Sequence, residues 1–131
     1  MRTPELFRIL ITDINHHVRN FLQRELEREG YAVCNVKNSS LAYEKIYSPS
    51  PPDLIIFDPE VFQSFDQALP DKIVQRHQSL QIIIHTYVDS LGTHKPGGNI
   101  YLVEKNGQSI GPLKSITREC FDRFRESKIP A

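Results

Sequence analysis

The sequence predicts one α/β domain built on a five-stranded parallel sheet. Three observations indicate this fold class: apolar segments typical of buried strands recur five times, helical patterns lie between them, and the connections are short. The 131 residues fall within the range of one compact domain. We expect a single domain over 1–131 with its core at about 7–126.

The five predicted strands are short and mostly uninterrupted by polar residues. A continuous apolar run indicates a strand that is covered on both faces, as in parallel sheets. Four such runs lie at 9–11, 54–57, 82–84 and 100–103, and "YAVCNV" at 31–36 is the fifth predicted strand.

Helical spacing of apolar residues marks the segments between the strands. Over 17–30, Val18, Phe21, Leu22 and Leu26 share one face, and Gly30 is a suitable C-terminal stop. A shorter helix is predicted over 39–47 with a serine as its cap. A third is predicted within 66–78, starting near 70–71, and the last begins with a proline in its first turn and covers 112–127.

Composition and charge exclude several classes of function. Sixteen basic residues balance sixteen acidic ones, so the chain has no bias toward nucleic acid or anionic membranes. No apolar run approaches the roughly 20 residues that span a bilayer, and no secretory h-region is evident. We expect a cytoplasmic protein in which Cys34 and Cys120 are buried, unpaired thiols.

Four polar residues lie at or just beyond the ends of predicted strands. Asp13 follows the first strand, Asp58 the third, Thr86 the fourth and Lys105 the fifth. Because the carboxyl ends of parallel strands share one edge of a sheet, we expect these side chains to converge. Two neighbouring carboxylates need a cation, a proton or solvent, and Mg²⁺ suits them. A lysine and a threonine hydroxyl can bind phosphoryl oxygens, so the set is sufficient for accepting a phosphoryl group on a carboxylate.

Each of these residues also has a purely structural interpretation. Asp13 could cap the first helix, and Asp58 could simply end its strand. Thr86 could be an ordinary strand residue, and Lys105 a solvated charge in a loop. The order of the four residues, each at a strand end, favours the functional interpretation.

Several segments together resemble a response regulator receiver domain of two-component signalling, of the CheY-like superfamily. The resemblance covers about residues 7–124 and is carried by "ITDINHHVRNFLQRELEREGY" (11–31), "PDLIIFDPE" (52–60), "IIIHTY" (82–87) and "YLVEKN" (101–106). It implies a doubly wound (βα)5 fold, which is a three-layer sandwich around a sheet of strand order 2-1-3-4-5. Receiver proteins are known examples of this strand order.

The resemblance also implies roles for individual residues. Asp58 would be the phosphoacceptor, with Thr86 and Lys105 binding the modified state. Asp13, Asp58 and the backbone carbonyl of Glu60 would hold Mg²⁺. The implied partners are a histidine kinase or phosphotransfer protein and a downstream protein or effector domain, and we expect no enzymatic turnover. Homodimer formation is left open.

Three departures from the family's pattern bear on mechanism. Receivers usually carry two adjacent acids after the first strand, whereas here the pair reads either Asp13–Ile14 or Thr12–Asp13, with one acid in each case. Mg²⁺ binding should therefore be weak. Asn106 follows the lysine in place of the family's proline, whose cis bond positions that loop.

The third departure is on the side of the domain that contacts partners in the family. Glycines and prolines in "YVDSLGTHKPGGN" (87–99) leave little of the family's fourth helix to form. Leu102 takes the place of the family's rotating aromatic, and Tyr101, one residue earlier, would point to the opposite face.

Two functional hypotheses follow, and a third is remote. The first is a phosphoacceptor receiver modified on Asp58. The alternative is a phosphorylation-independent pseudo-receiver that acts as a protein–protein interaction module. An enzyme using the two aspartates as acid and base has little support, because no nucleophile elbow, glycine-rich phosphate loop or metal-ligand set is present in the sequence. The absence of an effector domain after residue 124 leads us to expect a stand-alone receiver or a segment of a longer protein.

Overall fold

The predicted parallel sheet and its strand order are confirmed. The computed structural model describes residues 7–62, 68–87 and 98–127. Its strands are all parallel and lie in the order β2-β1-β3-β4-β5. They are β1 (Arg8–Thr12), β2 (Ala32–Val36), β3 (Leu54–Phe57), β4 (Gln81–Thr86) and β5 (Ile100–Glu104). The helices are α1 (His16–Arg28), α2 (Ser39–Ile46), α3 (Leu69–Arg76) and α4 (Ile110–Ser127), with a 3₁₀ turn at Pro59–Val61.

Asparagine side chains begin the first two helices. The Asn15 carboxamide oxygen accepts hydrogen bonds from the N–H groups of His17 and Val18 at the start of α1. Asn38 accepts from the N–H of Leu41 at the start of α2, so the predicted serine cap is wrong. Asn38 is in extended backbone one residue before the helix, which is the conformation of an N-cap.

The helix ends are close to those predicted from the sequence. Gly30 follows α1 with φ of +98°, a backbone conformation that L side chains rarely adopt. The helix α4 begins at Ile110, two residues before Pro112, and so includes one more half-turn than predicted.

The sheet separates two hydrophobic clusters, one on each face. Every side chain of β3 and β4 is buried, which explains the apolar runs at 54–57 and 82–84. The cluster on the α2–α3 face includes Leu10, Ile55, Phe57, Ile73 and Ile82. The cluster on the α1–α4 face includes Ile9, Leu26, Ile56, Ile83, Leu113 and Phe124. Packing on both faces fixes the strands, and therefore the polar residues at their carboxyl ends.

One predicted burial is wrong. Cys34 is exposed, because β2 is an edge strand whose side chains are only partly covered, whereas Cys120 is buried in α4. Both thiols are free. Among the helices of 7–62, 68–87 and 98–127, none is long and apolar enough to cross a membrane. The prediction of little helix after Thr86 falls on 88–97, which lie outside the described residues.

Candidate functional site

Three of the four predicted site residues meet at the carboxyl edge of the sheet. Asp13 directly follows β1, Asp58 follows β3 and Lys105 follows β5. The Lys105 Nζ donates to Asp13 Oδ2 at 2.9 Å and to Asp58 Oδ2 at 2.7 Å. Both aspartates are only 1% exposed. We name these three residues the acid cluster: two buried carboxylates bridged by one ammonium group.

The remaining carboxylate oxygens accept hydrogen bonds from the backbone. Asp13 Oδ1 accepts from the N–H of Asn15 at 2.8 Å, and Asp58 Oδ1 accepts from the N–H of Glu60 at 3.0 Å. All four carboxylate oxygens therefore have a donor. The interpretation of Asp13 as the cap of α1 is wrong, because Asn15 has that role. Asp58 does cap the 3₁₀ turn that follows it, so its structural and proposed functional roles coexist.

Thr12 is a residue of the site that the sequence did not single out. It is fully buried, and its hydroxyl donates to the carbonyl of Ile56 at 3.0 Å and accepts from the N–H of Asp58 at 2.9 Å. It thus joins the ends of β1 and β3 beside the Asp58 carboxylate. The two residues that follow Thr12 differ in exposure, because Asp13 is buried in the cluster whereas Ile14 is 56% exposed. A threonine flanked by an apolar run and an acid gave no signal of this role.

Arg19 is a second residue that sequence reasoning missed. Its Nη1 donates to the backbone carbonyl of Asp13 at 2.8 Å, and its Nε donates to Asn35 Oδ1 at 3.1 Å. The Asn35 amide in turn donates to Gln23 Oε1. These bonds connect α1 and β2 to the backbone of Asp13, and so stabilise the loop that presents its carboxylate.

Thr86 lies at the same edge but outside the hydrogen-bonded cluster. Its carbonyl accepts from the N–H of Lys105 at 2.7 Å, which places the two residues side by side. Its side chain is fully buried, and its hydroxyl has no hydrogen-bond partner among the described residues. A buried hydroxyl without a partner costs about 1–3 kcal/mol, which an added acceptor oxygen would recover.

The charges in the acid cluster do not balance. When both aspartates are ionised, one ammonium faces two carboxylates and the cluster carries a net charge of −1. Burial raises the pKa of Asp58, and the Lys105 hydrogen bond only partly opposes this. Burial alone would lower the pKa of Lys105, but its hydrogen bonds to Asp58 and Asp13 outweigh it and raise that pKa. The pKa of both groups is thus raised, that of Asp58 mainly by burial and that of Lys105 by its two anionic partners.

The described side chains do not form a complete Mg²⁺ site. Lys105 lies within hydrogen-bonding distance of both carboxylates, the position that a shared cation would take. Ile14 adds no oxygen ligand where receivers usually carry a second acid. Glu60 lies in the 3₁₀ turn next to Asp58, as the prediction of its carbonyl as a ligand requires. Across the described parts of the chain, no three His, Cys, Asp or Glu side chains are grouped so that they could hold a metal ion.

Several solved structures that superpose on this chain are response regulators or receiver domains. The response regulator TrrA of Thermotoga maritima, solved in complex with Mg²⁺-BeF, superposes with a TM-score of 0.74 at 25% identity, over 87% of this chain and 98% of its own. The CheY-like receiver domain protein of Methanospirillum hungatei gives 0.71 at 22% identity, over 93% and 98%. The signal receiver domain of an HD domain-containing protein of Pseudomonas fluorescens gives 0.79 at 20% identity, over 98% and 96%.

Sequence comparison adds no further assignment, since no family model and no curated protein matches the chain. The identification depends on the sheet order, on the agreement over nearly the whole chain, and on the resemblance of the segments around Asp13, Asp58, Thr86 and Lys105. The chain therefore has the receiver-domain fold of the CheY-like response regulators.

Proposed function

We propose that this receiver domain acts in a cytoplasmic phosphorelay and accepts a phosphoryl group on Asp58 from a histidine kinase or phosphotransfer protein. One observation carries the proposal: the Lys105 ammonium lies between the buried carboxylates of Asp13 and Asp58. Phosphoryl transfer needs positioning and neutralisation of charge more than covalent chemistry from the protein. A preorganised cation at the nucleophile meets both needs.

The transfer itself would make Asp58 the nucleophile. A carboxylate oxygen of Asp58 forms a bond to phosphorus as the phosphorus–nitrogen bond of a phosphohistidine donor breaks, and the imidazole leaves. Lys105 then bonds a phosphoryl oxygen in place of the Asp58 oxygen that it now contacts. The Thr86 hydroxyl, buried and without a partner among the described residues, can donate to another.

The proposed output is binding rather than turnover. Movement of Thr86 and Lys105 toward the added group would alter the ends of β4 and β5, and a downstream protein or an effector domain would bind the altered surface. The domain would then act as a phosphate acceptor in the relay, not as an enzyme with a substrate of its own.

A small acyl-phosphate donor tests the proposal directly. Wild-type protein incubated with the donor and Mg²⁺ should gain the mass of one phosphoryl group, and Asp58→Asn should not. Asp53→Asn is the matched control, because Asp53 lies at the opposite end of β3, where its carboxylate accepts from the N–H of Arg8. Failure of the wild-type protein to gain that mass with any donor would overturn the proposal.

The incomplete metal site favours a second candidate, the phosphorylation-independent pseudo-receiver that acts as an interaction module. Ile14 offers no oxygen ligand, and Lys105 already contacts both acids. The lysine therefore stabilises the cluster without a metal. Calorimetric titration separates the candidates. Measurable Mg²⁺ binding that falls in Asp58→Ala favours the phosphoacceptor, and absence of heat favours the interaction module.

Restoring the second acid sharpens this titration. Ile14→Asp adds a third carboxylate at the exposed position next to Asp13, where it is open to a hard cation from solution. We expect Mg²⁺ affinity to rise at least about tenfold, equivalent to roughly 1.4 kcal/mol. Ile14→Asn, which adds a neutral oxygen of the same reach, is the control and should give a smaller gain.

A further inference from the structure

A buried histidine, His85, lies immediately before Thr86 at the end of β4. His85 is 2% exposed, and its Nε2 lies 2.9 Å from the hydroxyl oxygen of Ser109. The Ser109 hydroxyl also lies 2.9 Å from the carbonyl oxygen of Asn106, to which it donates. Since a serine has one hydroxyl proton, His85 must donate through Nε2–H and Ser109 must accept. The imidazole is therefore in the Nε2–H tautomer, with Nδ1 as an acceptor that has no partner among the described residues.

These bonds organise the loop between β5 and α4. The Asn106 side chain accepts from the N–H of Gln108 at 2.8 Å, and the Asn106 carbonyl accepts from the N–H of Ser109 at 3.2 Å. Asn106 is the residue that replaces the family's proline, so hydrogen bonds of its side chain and carbonyl, rather than a proline ring, shape this loop.

Two consecutive residues of β4 hold both ends of this loop. Thr86 accepts from the backbone N–H of Lys105, where the loop begins, and His85 donates to Ser109, where the loop ends and α4 begins. The side of the loop that faces α1 is less supported, because a cavity of about 300 Å³ separates them. Its lining includes His85, Lys105 and Ser109. Hydrogen bonds therefore contribute more than close packing to the position of the loop.

We propose that His85 and Ser109 are positioning residues for Lys105. Their hydrogen bond holds the β5–α4 loop against the end of β4, so that the Lys105 ammonium lies between Asp13 and Asp58. Fixing a lysine side chain costs conformational entropy, and an anchored backbone limits the positions from which the side chain must reach the two carboxylates. The kinetic consequence, though not the positioning, rests on the proposed function of Asp58.

The environment of His85 agrees with a neutral, permanently bonded ring. Burial and the nearby Lys105 charge lower the pKa of His85 to about 4, while Asp13 acts in the opposite direction. The ring therefore stays uncharged near neutral pH and adds no second cation to the acid cluster. It also keeps the Nε2–H that Ser109 accepts.

Lysine-labelled protein gives a readout that does not depend on phosphorylation. The NMR signals of the Lys105 Cε and Nζ are assigned by their loss in Lys105→Arg. In Ser109→Ala we expect these signals to shift and the pKa of Lys105 to fall, because the ammonium is less firmly held by its two carboxylates. Ser127→Ala is the matched control: Ser127 also donates to the carbonyl three residues earlier, that of Phe124, but lies at the far end of α4. It should leave the Lys105 signals in place.

A second pair of variants covers the case in which Ser109→Ala does not fold. His85→Leu removes the donor, whereas His85→Gln places an amide N–H near the position of Nε2 and should restore most of the wild-type Lys105 signal. If Asp58 is a phosphoacceptor, His85→Leu should also slow its modification, by up to about a hundredfold for a displacement near 1 Å, and His85→Gln should recover much of the rate.

The outcomes separate this inference from the proposed function. Shifted Lys105 signals in Ser109→Ala and His85→Leu, with wild-type signals in Ser127→Ala, support positioning even if Asp58 is never modified. Lys105 signals that match wild type in both Ser109→Ala and His85→Leu overturn positioning, even if Asp58 is modified normally. Equal shifts in His85→Leu and His85→Gln also overturn it, because the hydrogen bond would then not be the cause.

Discussion

Two buried threonines at the same edge of the sheet differ in how their hydroxyls are used. Thr12, at the end of β1, donates to the carbonyl of Ile56 and accepts from the N–H of Asp58. Thr86, at the end of β4, is equally buried, but its hydroxyl has no partner among the described residues. The first threonine stabilises the present arrangement of the acid cluster. The second has a donor without a described partner, which under the proposed function would bind an added phosphoryl oxygen.

The same contrast extends to the neighbours of the two threonines. Beside Thr12, every carboxylate oxygen of Asp13 and Asp58 has a donor. Beside Thr86, the His85 Nδ1 is unpartnered within the described chain. Every carboxylate oxygen already has a donor, whereas His85 and Thr86 on β4 have polar atoms without described partners. We therefore expect a new anion to rearrange mainly the end of β4 and Lys105. The experiments below test that asymmetry, beginning with the variant that should change stability most.

The acid cluster should depend strongly on its single cation. Lys105→Met leaves two buried carboxylates facing each other, and should lower the free energy of unfolding at pH 7 by about 3–5 kcal/mol. The loss should shrink as pH falls, because protonated carboxyls no longer repel. Denaturant unfolding at pH 7 and pH 4 measures both effects.

Lys114→Met is the control for this prediction. Lys114 pairs with Glu25 at 3.0 Å on the surface, where its side chain is 32% exposed, and its loss should cost no more than about 1 kcal/mol. Equal losses in the two variants would show that the acid cluster is not held by a buried cation.

The β4 side should make stability depend on pH through His85. The pKa of this residue is about 4 in the folded chain and near 6.5 when unfolded, so between those values only the unfolded chain binds the proton. Stability is then full above pH 6.5 and falls as pH drops toward 4, by about 3 kcal/mol. Unfolding of wild type and His85→Gln across this range measures it, because the difference between the curves removes the contribution of Asp58.

Asp58 acts in the opposite direction. Burial raises its pKa, so the folded chain holds that proton to higher pH than the unfolded chain does, and its contribution to stability decreases as pH rises. A His85→Gln curve parallel to that of wild type would show that His85 does not titrate as a buried, neutral ring.

The two threonines themselves should give opposite results when replaced by valine. Thr12→Val removes the partner of the Asp58 N–H and should cost about 1–3 kcal/mol. Thr86→Val removes a hydroxyl that has no described partner, and should be neutral or slightly stabilising in the unmodified protein. Thr117→Val is the control, since Thr117 is also buried and its hydroxyl has no partner in the described part of the chain, but it lies in α4. Equal losses at Thr12 and Thr86 would remove the asymmetry.

Sequence patterns were sufficient for the sheet and for the charged residues at its edge. Continuous apolar runs predicted β1, β3, β4 and β5. Strands that are covered on both faces of a sheet carry apolar residues at successive positions rather than at alternate ones. The parallel arrangement then predicted that Asp13, Asp58 and Lys105 would converge, as they do. Strand order came from the resemblance to receivers rather than from periodicity.

The details that the sequence did not reveal depend on individual hydrogen bonds. Thr12, Arg19 and Ser109 act through partners 44, 16 and 24 residues away, and no local pattern encodes such pairs. The cap of α2 was misassigned because Asn38 and the serines beside it are all good N-cap residues, and the backbone conformation decides between them. The exposure of Cys34 follows from the edge position of β2, which its own sequence does not indicate.

Locating the phosphoryl group within the chain decides whether Asp58 is the phosphoacceptor. After treatment with the acyl-phosphate donor, the protein is reduced with borohydride, which converts a phosphorylated aspartate to homoserine, and its peptides are sequenced by mass spectrometry. We predict homoserine at position 58 and unchanged aspartate at position 13. Homoserine at position 13, or at no position, would show that Asp58 does not accept the group.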